Sequence, residues 1–276
     1  MTRTARDRVI IFDFDGTITV GDGPVLAYAE QVAVRLAPGL ADGFRAAVTA
    51  GLHGRTGLTG SPAAAPVDDY DLVRQVALVH GADSAVLSAA YLASRELLAT
   101  EHAVISAPVI TRSAGTTATG RDDLASWLRR LSTQAYLVLA TNAPATGLDR
   151  ALAVLGVTDA FDEVRTSVGK PAGMHTLADE MLARGPVLSV GDVWHNDLEP
   201  VWARGSATAL LTRGGVGDVR ATYSADSLDG LVPGITAWAA ADLEPHHLHQ
   251  PPPARPVHHL TTATSATTAT TAKADL

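Results

Sequence analysis

The chain has 276 residues, enough for one large domain or two small ones, and its 46% hydrophobic content allows a sizeable core. Aromatics make up only 5%, so that core must rest on Ala, Val and Leu. A net charge of -8 argues against nucleic acid or an anionic membrane surface as partner, and the absence of cysteine excludes disulfides, thiolate nucleophiles and thiolate metal sites. No apolar run approaches the roughly 20 residues of a membrane helix. Met1 to Arg8 are polar and carry no apolar signal segment, so a cytoplasmic protein is expected.

Val9 to Phe12 form a short apolar run suited to a buried parallel strand. It ends at Asp13-Phe14-Asp15-Gly16-Thr17, after which Gly21 and Gly23 loosen the chain and Pro24 suits the first turn of a helix. From Pro24 to about Ala103 the pattern is helical, with Leu26, Ala29, Ala33 and Leu36 at three- and four-residue spacing. Asp69 to His80 and Ser84 to Leu98 repeat it, while Gly54 to Pro66 reads as a loop. Gly115 and Gly120 bracket an expected hinge. Beyond it, helices over Asp122–Leu131, Ala145–Leu155, His175–Ala183 and Leu198–Arg204 alternate with strands. Those strands are Ala135–Leu139, Glu163–Arg165, Pro186–Val190 and Ala207–Leu211. The region from 212 to 244 receives no element. After Pro245 the chain is rich in His, Pro, Thr and Ala, and too poor in apolar surface to offset its ordering entropy, so residues 245–276 are expected to be disordered. The irregularly spaced His246, His247 and His249 make no metal site.

Strands alternating with helices imply an α/β fold. The expected core is Rossmann-like and three-layered (α/β/α) with a parallel sheet, and a helical unit is inserted into it. Ligands bind such sheets at the carboxyl ends of the strands. Four polar groups stand there or in the adjoining loops: Asp13 and Asp15, Thr141 and Asn142, Lys170, and Asp192 with Asn196 and Asp197. Taken singly each has an ordinary explanation: a solvated Asp-x-Asp turn, a helix cap, a surface charge, a Gly-Asp turn. Together they make coherent chemistry. The carboxylates are hard oxygen donors suited to Mg²⁺, and Lys170 would add positive charge beside a phosphoryl group. One carboxylate can attack phosphorus, and another two residues on can serve as acid and base.

The ordered set resembles the haloacid dehalogenase-like hydrolase superfamily. Asp13-Phe14-Asp15-Gly16-Thr17-Ile18-Thr19 is similar to its first motif, Thr141 to its second, Lys170-Pro171 to its third, and Gly191-Asp192 with Asp197 to its fourth. The resemblance implies a catalytic core over 1–19 and 116–244 and a helical cap domain over 20–115. It implies Asp13 as nucleophile and metal ligand, and Asp15 as acid/base that binds metal through its backbone carbonyl. Thr141, Asn142 and Lys170 would bind phosphate, Asp192 would complete the protein ligands of Mg²⁺, and Asp197 would support them. Relatives that cleave carbon–halogen bonds typically lack Asp at position 15, so its presence favours phosphate esters.

The expected activity is therefore a Mg²⁺-dependent phosphatase acting on a small phosphorylated metabolite through an aspartyl-phosphate on Asp13. A phosphomutase of the same superfamily and a non-catalytic ligand-binding relative are the alternatives; a phosphonatase is disfavoured because no lysine precedes Lys170. No nucleic acid or membrane partner is expected, and the sequence sets no oligomeric state. Arg45, His53, Arg55, Arg74 and Arg112 are the candidate substrate contacts in the helical segment, and His195 is expected as a loop residue beside Trp194.

Overall fold

The structure is a computed structural model that describes residues 6–54, 66–97, 105–106, 123–213, 215 and 217–240. The expected hinge at Gly115 and Gly120, Arg55, Arg112 and the tail 245–276 lie outside the described residues. The first elements in chain order are β1 (Val9–Phe12), β2 (Thr19–Val20), α1 (Gly23–Ala33), α2 (Ala41–Leu52), α3 (Asp69–Val79), α4 (Ser84–Leu97) and β3 (Ile105–Ser106). They are followed by α5 (Leu124–Ser132), β4 (Tyr136–Ala140), α6 (Leu148–Val154), β5 (Glu163–Arg165), α7 (Ala172–Leu182) and β6 (Val187–Gly191). A π-helical turn, Trp194–Leu198, then leads into α8 (Glu199–Trp202), β7 (Ala207–Leu211), β8 (Tyr223–Ala225) and α9 (Leu228–Ala240).

Six strands form one parallel sheet in the order β5-β4-β1-β6-β7-β8, with β1 near its middle. Strand alternation sorts its apolar side chains onto two faces. Ile10, Phe12, Leu137, Leu139, Leu188 and Val190 pack against α5, α6 and α9. Val9, Ile11, Val138, Ala140 and Val187 pack against α7 and Val201 of α8. Both faces are therefore covered, which is why these strands read as continuous apolar runs rather than alternating ones.

A separate apolar cluster joins α1 to α4 through Val25, Tyr28, Val32, Phe44, Val48, Val73, Val76 and Ala90. The buried face of α1 is turned from the one its spacing suggests. Ala29 and Ala33 are buried, but Leu26 is exposed and Val25 takes the inward position. The antiparallel pair β2–β3 brings together the two chain crossings that bracket these helices. No helix among the described residues is long and apolar enough to cross a membrane.

One core helix carries no clear sequence signal. α9 contains Gly230, Pro233 and Gly234, all helix breakers by propensity. Burial of Leu228, Leu231, Val232, Ile235 and Ala239 overrides that propensity. The two glycines are there for fit: a Cβ on Gly230 would lie 2.8 Å from Ala225 Cβ, and one on Gly234 2.7 Å from Tyr223 Cδ1, so glycine lets α9 close onto β8. The helix expected over Leu198–Arg204 is the shorter α8, and an unexpected π turn precedes it.

Leu137 is fully buried in β4, beside the central strand. Leu137→Ala should lower stability by about 2–5 kcal/mol through lost burial and the cavity left behind. Urea titration should show a lower midpoint with an unchanged slope.

Candidate active site

The eight polar residues singled out at the strand ends and adjoining loops all line one cavity of about 340 Å³ at the carboxyl edge of the sheet: Asp13, Asp15, Thr141, Asn142, Lys170, Asp192, Asn196 and Asp197. The Asp13 N–H donates to Val190 O at 2.9 Å, continuing the pairing of β1 with β6 past the strand end. The intervening Phe14 is buried in the core, so alternation delivers both Asp13 and Asp15 to the cavity side. The chain then turns at once, with Ile18 and Thr19 N–H both donating to Phe14 O at 3.0 Å. Gly16 makes the turn at φ +90°, and a Cβ there would collide with the Asp192 carboxylate.

The strongest contacts centre on Lys170. Its Nζ donates to Asp13 Oδ1 at 2.7 Å and to Asp197 Oδ1 at 2.8 Å, and its side chain is only 3% exposed. Burial opposes the ammonium charge, but Asp13 and Asp197 outweigh burial and raise its pKa. Asp13 Oδ2 accepts from Thr17 Oγ1 at 3.0 Å. Asp197 is held by the π turn, its Oδ2 accepting from Val193 N–H at 3.0 Å and its backbone carbonyl from Ser189 Oγ at 2.7 Å. A Cβ on Gly191 would overlap Asp197, so glycine at the end of β6 makes room for it. Asn142 Oδ1 accepts from Lys170 N–H at 2.7 Å, which ties the loop after β4 to the lysine. Thr141 is buried, and its Oγ1 accepts from Ala143 N–H at 3.0 Å, leaving the O–H to donate.

The carboxylates that converge are Asp13, Asp192 and Asp197, whose oxygens lie within 4.8 Å of one another. Asp15 turns aside: its Oδ1 lies 3.5 Å from Arg95 Nη1. Burial raises the Asp15 carboxyl above its usual range, with Arg95 opposing and Asp13 adding to the rise. Burial, Asp13 and Asp197 push Asp192 up to about 8 against the pull of Arg213. Burial likewise pushes Asp197 up to about 6, opposed by Lys170. Three acidic side chains thus gather around one ammonium, with Arg213 beside Asp192, and such clustered hard oxygen donors suit a divalent cation such as Mg²⁺, which would favour their ionised forms.

Several residues at the site were not anticipated. Arg213, two positions beyond β7, pairs with Asp192 at 3.3 Å and holds a positive φ of 50°. The strand-end rule that picked out the acids applies equally to it. Tyr28 and Tyr91 come from the helical unit, as do Asp68, Asp69 and Tyr70. Burial pushes the Tyr28 and Tyr91 phenols up to about 12 and Tyr70 well above its ordinary value, so all three remain O–H donors at neutral pH. Of the candidates in the helical segment, Arg74 reaches the cavity, paired with Asp71. Arg45 instead pairs with Glu30 and Asp42, and His53 bonds Thr49 O. His195 is exposed and bonds Glu199, while Trp194 meets Trp202 edge-on.

A family model described as haloacid dehalogenase-like hydrolase matches residues 8–200. No curated protein matches the chain. Among solved structures, the magnesium-bound HAD-hydrolase YfnB of Bacillus subtilis is 14% identical with a TM-score of 0.52, covering 84% of this chain and 99% of its own. A HAD phosphatase from Thermococcus onnurineus is 21% identical with a TM-score of 0.48, covering 83% and 97%. A 2-haloacid dehalogenase from Pseudomonas syringae pv. Tomato DC3000 is 14% identical with a TM-score of 0.47, covering 84% and 99%. At such identities the likeness to YfnB speaks for a common fold alone.

The raised carboxyl values fix the sign of a pH effect. A folded-state value above the unfolded 3.8 means that the native state binds more protons than the unfolded chain between about pH 4 and pH 8. Stability from Asp192 is therefore present at low pH and lost as pH rises through about 8. In chelator, the thermal midpoint should fall between pH 5 and pH 8.5, and Asp192→Asn should flatten that fall.

Proposed function

This chain belongs to the haloacid dehalogenase-like hydrolase family, and within it we propose a Mg²⁺-dependent phosphatase that acts on a small phosphorylated metabolite. The observation that carries this reading is the presence of Asp15 in the cavity wall two residues beyond Asp13, while Lys170 holds Asp13 at 2.7 Å. An ester oxygen departs as a strong base and needs a proton; a halide does not. A carboxyl whose pKa burial raises, against the pull of Arg95, gives up a proton nearer neutral pH than an ordinary one and is suited to supply it.

Asp13 and Asp192, with the backbone carbonyl of Asp15, would hold Mg²⁺, which when bound neutralises charge on the phosphoryl oxygens. The Asp197 oxygens are engaged by Lys170 and the Val193 N–H, which suits it to a supporting role. Lys170, the Thr141 hydroxyl and the Asn142 amide would donate to the phosphoryl group. Asp13 attacks phosphorus, the bond from phosphorus to the ester oxygen breaks, and Asp15 passes its proton to that oxygen, releasing a neutral alcohol. Asp15 then takes a proton from water as the water oxygen attacks the aspartyl-phosphate. Inorganic phosphate leaves and the Asp13 carboxylate is restored. The helices α1 to α4 would act as a cap, with Tyr28, Tyr91 and Asp69 facing the leaving group and excluding water.

Asp13→Asn should reduce hydrolysis of an aryl phosphate in Mg²⁺ to below about one-thousandth of the wild-type kcat. Chelation should silence the wild type, and Mg²⁺ should restore it. Free phosphate measured against isomer formation from hexose phosphates separates hydrolysis from mutase action. Wild-type rates in the Asp13→Asn protein would overturn the mechanism.

A further inference from the structure

Arg95 is among the largest fully buried side chains among the described residues, with 1% of its side chain exposed. It stands in the last turn of α4, in the helical unit rather than the sheet. A buried guanidinium is costly unless its charge is balanced. Among the described residues one carboxylate pairs with it, Asp15, whose Oδ1 lies 3.5 Å from Nη1. The same Nη1 is 3.3 Å from the Tyr70 hydroxyl, and the guanidinium carbon lies 5.9 Å from the centre of the Tyr91 ring. Nε and Nη2, the edge that would take a second carboxylate side-on, have no hydrogen-bond partner among the described residues. Among the described residues Asp15 is thus the one acidic group set against Arg95.

The end of α4 is seated on the core at two further points. The backbone carbonyl of Arg95 packs where Gly147, at φ +76°, has no room for a Cβ. Glu96 beside it pairs with Arg150 at 2.7 Å, an exposed contact. Neither reaches the cavity; of the three, the Arg95 side chain alone touches a cavity residue.

We infer that Arg95 is a positioning residue for Asp15: it draws Oδ1 back toward α4 and so fixes where the carboxyl stands relative to the departing ester oxygen. The inference rests on the reading of Asp15 as the leaving-group acid. It adds that the helical unit supplies part of the acid's geometry, so that α4 must be seated for proton transfer to be efficient. The step itself is unchanged: the bond from phosphorus to the ester oxygen breaks as the Asp15 proton moves to that oxygen and Asp13 bonds to phosphorus.

The test is the dependence of kcat/KM on the leaving group. This ratio covers the reaction only through departure of the alcohol, so it isolates protonation from the later attack of water. Wild type, Arg95→Met, Arg95→Lys and Asp15→Asn are compared on a series running from nitrophenyl to alkyl phosphates. A nitrophenolate leaves with little help, whereas an alkoxide needs the proton. Arg95→Met should lose roughly tenfold to a hundredfold on the alkyl esters and only about threefold on the nitrophenyl ester. Arg95→Lys, which keeps the charge without the planar fork, should fall between Arg95→Met and wild type. A uniform loss across the series, as from a merely structural or substrate-binding role, would overturn the inference, as would no loss. Should Arg95→Met fail to fold, Arg95→Lys decides alone: a steeper leaving-group slope than wild type supports the inference and a parallel one defeats it. Asp15→Asn guards the premise. If it shows no leaving-group dependence, the acid assignment itself fails; if it is steep while Arg95→Met is parallel to wild type, the positioning role alone fails.

Discussion

The ammonium of Lys170 is the point on which the site depends. Three carboxylates would not gather at one sheet edge without a cation among them, because burial and mutual repulsion both oppose their ionisation. Lys170 lies between Asp13 and Asp197 at 2.7 and 2.8 Å, cut off from solvent. Removing one partner from such a buried set leaves a charge uncompensated, at a cost of about 3–5 kcal/mol, so the arrangement stands or falls as a unit. Asp192, which Lys170 does not touch, resists ionisation there through burial and its acidic neighbours, and a divalent cation beside it would relieve that cost.

Delivering these groups needs space as well as charge. The sheet edge is crowded, and glycine appears where a side chain would obstruct a functional one: Gly16 beside Asp192, and Gly191 beside Asp197. The π turn after β6 brings Asp197 back over the strand end, where Ser189 holds its carbonyl and Val193 its carboxylate. Local backbone geometry and long-range electrostatics are thereby joined. The turn that buries Asp197 is also the one that lets it meet a lysine 27 residues away.

The helical unit does more than cover the cavity. Its tyrosines and the buried Arg95 form a partly buried polar wall facing the sheet edge, and that wall touches Asp15 rather than the carboxylates around Lys170. The two acids of the first motif are thus governed from different sides. Asp13 is held by the core through Lys170 and Thr17, and Asp15 by α4 through Arg95. Motion of α4 relative to the sheet would bear on one acid and spare the other.

Much of this was legible in the order of residues. Strands buried on both faces are written as apolar runs such as Val9-Ile10-Ile11-Phe12. A polar residue ending such a run lies at the sheet edge, which brings out Asp13, Asp15, Thr141 and Asp192, while Lys170 comes from an adjoining loop and was added by the motif order. Helix α9 was not legible, because Gly230, Pro233 and Gly234 argue against a helix, and only the fit against β8 explains them. Nor could spacing tell Arg95 from Arg45, since both are arginines on helices and only the seating of α4 buries one and leaves the other at the surface. The convergence of Asp197 rather than the Asp15 side chain with Asp13 and Asp192 was likewise settled in three dimensions. Alternation and turn chemistry act between near neighbours and are therefore carried by the sequence itself. The partner of a buried charge is chosen by which distant element packs against it, and that is a property of the folded chain.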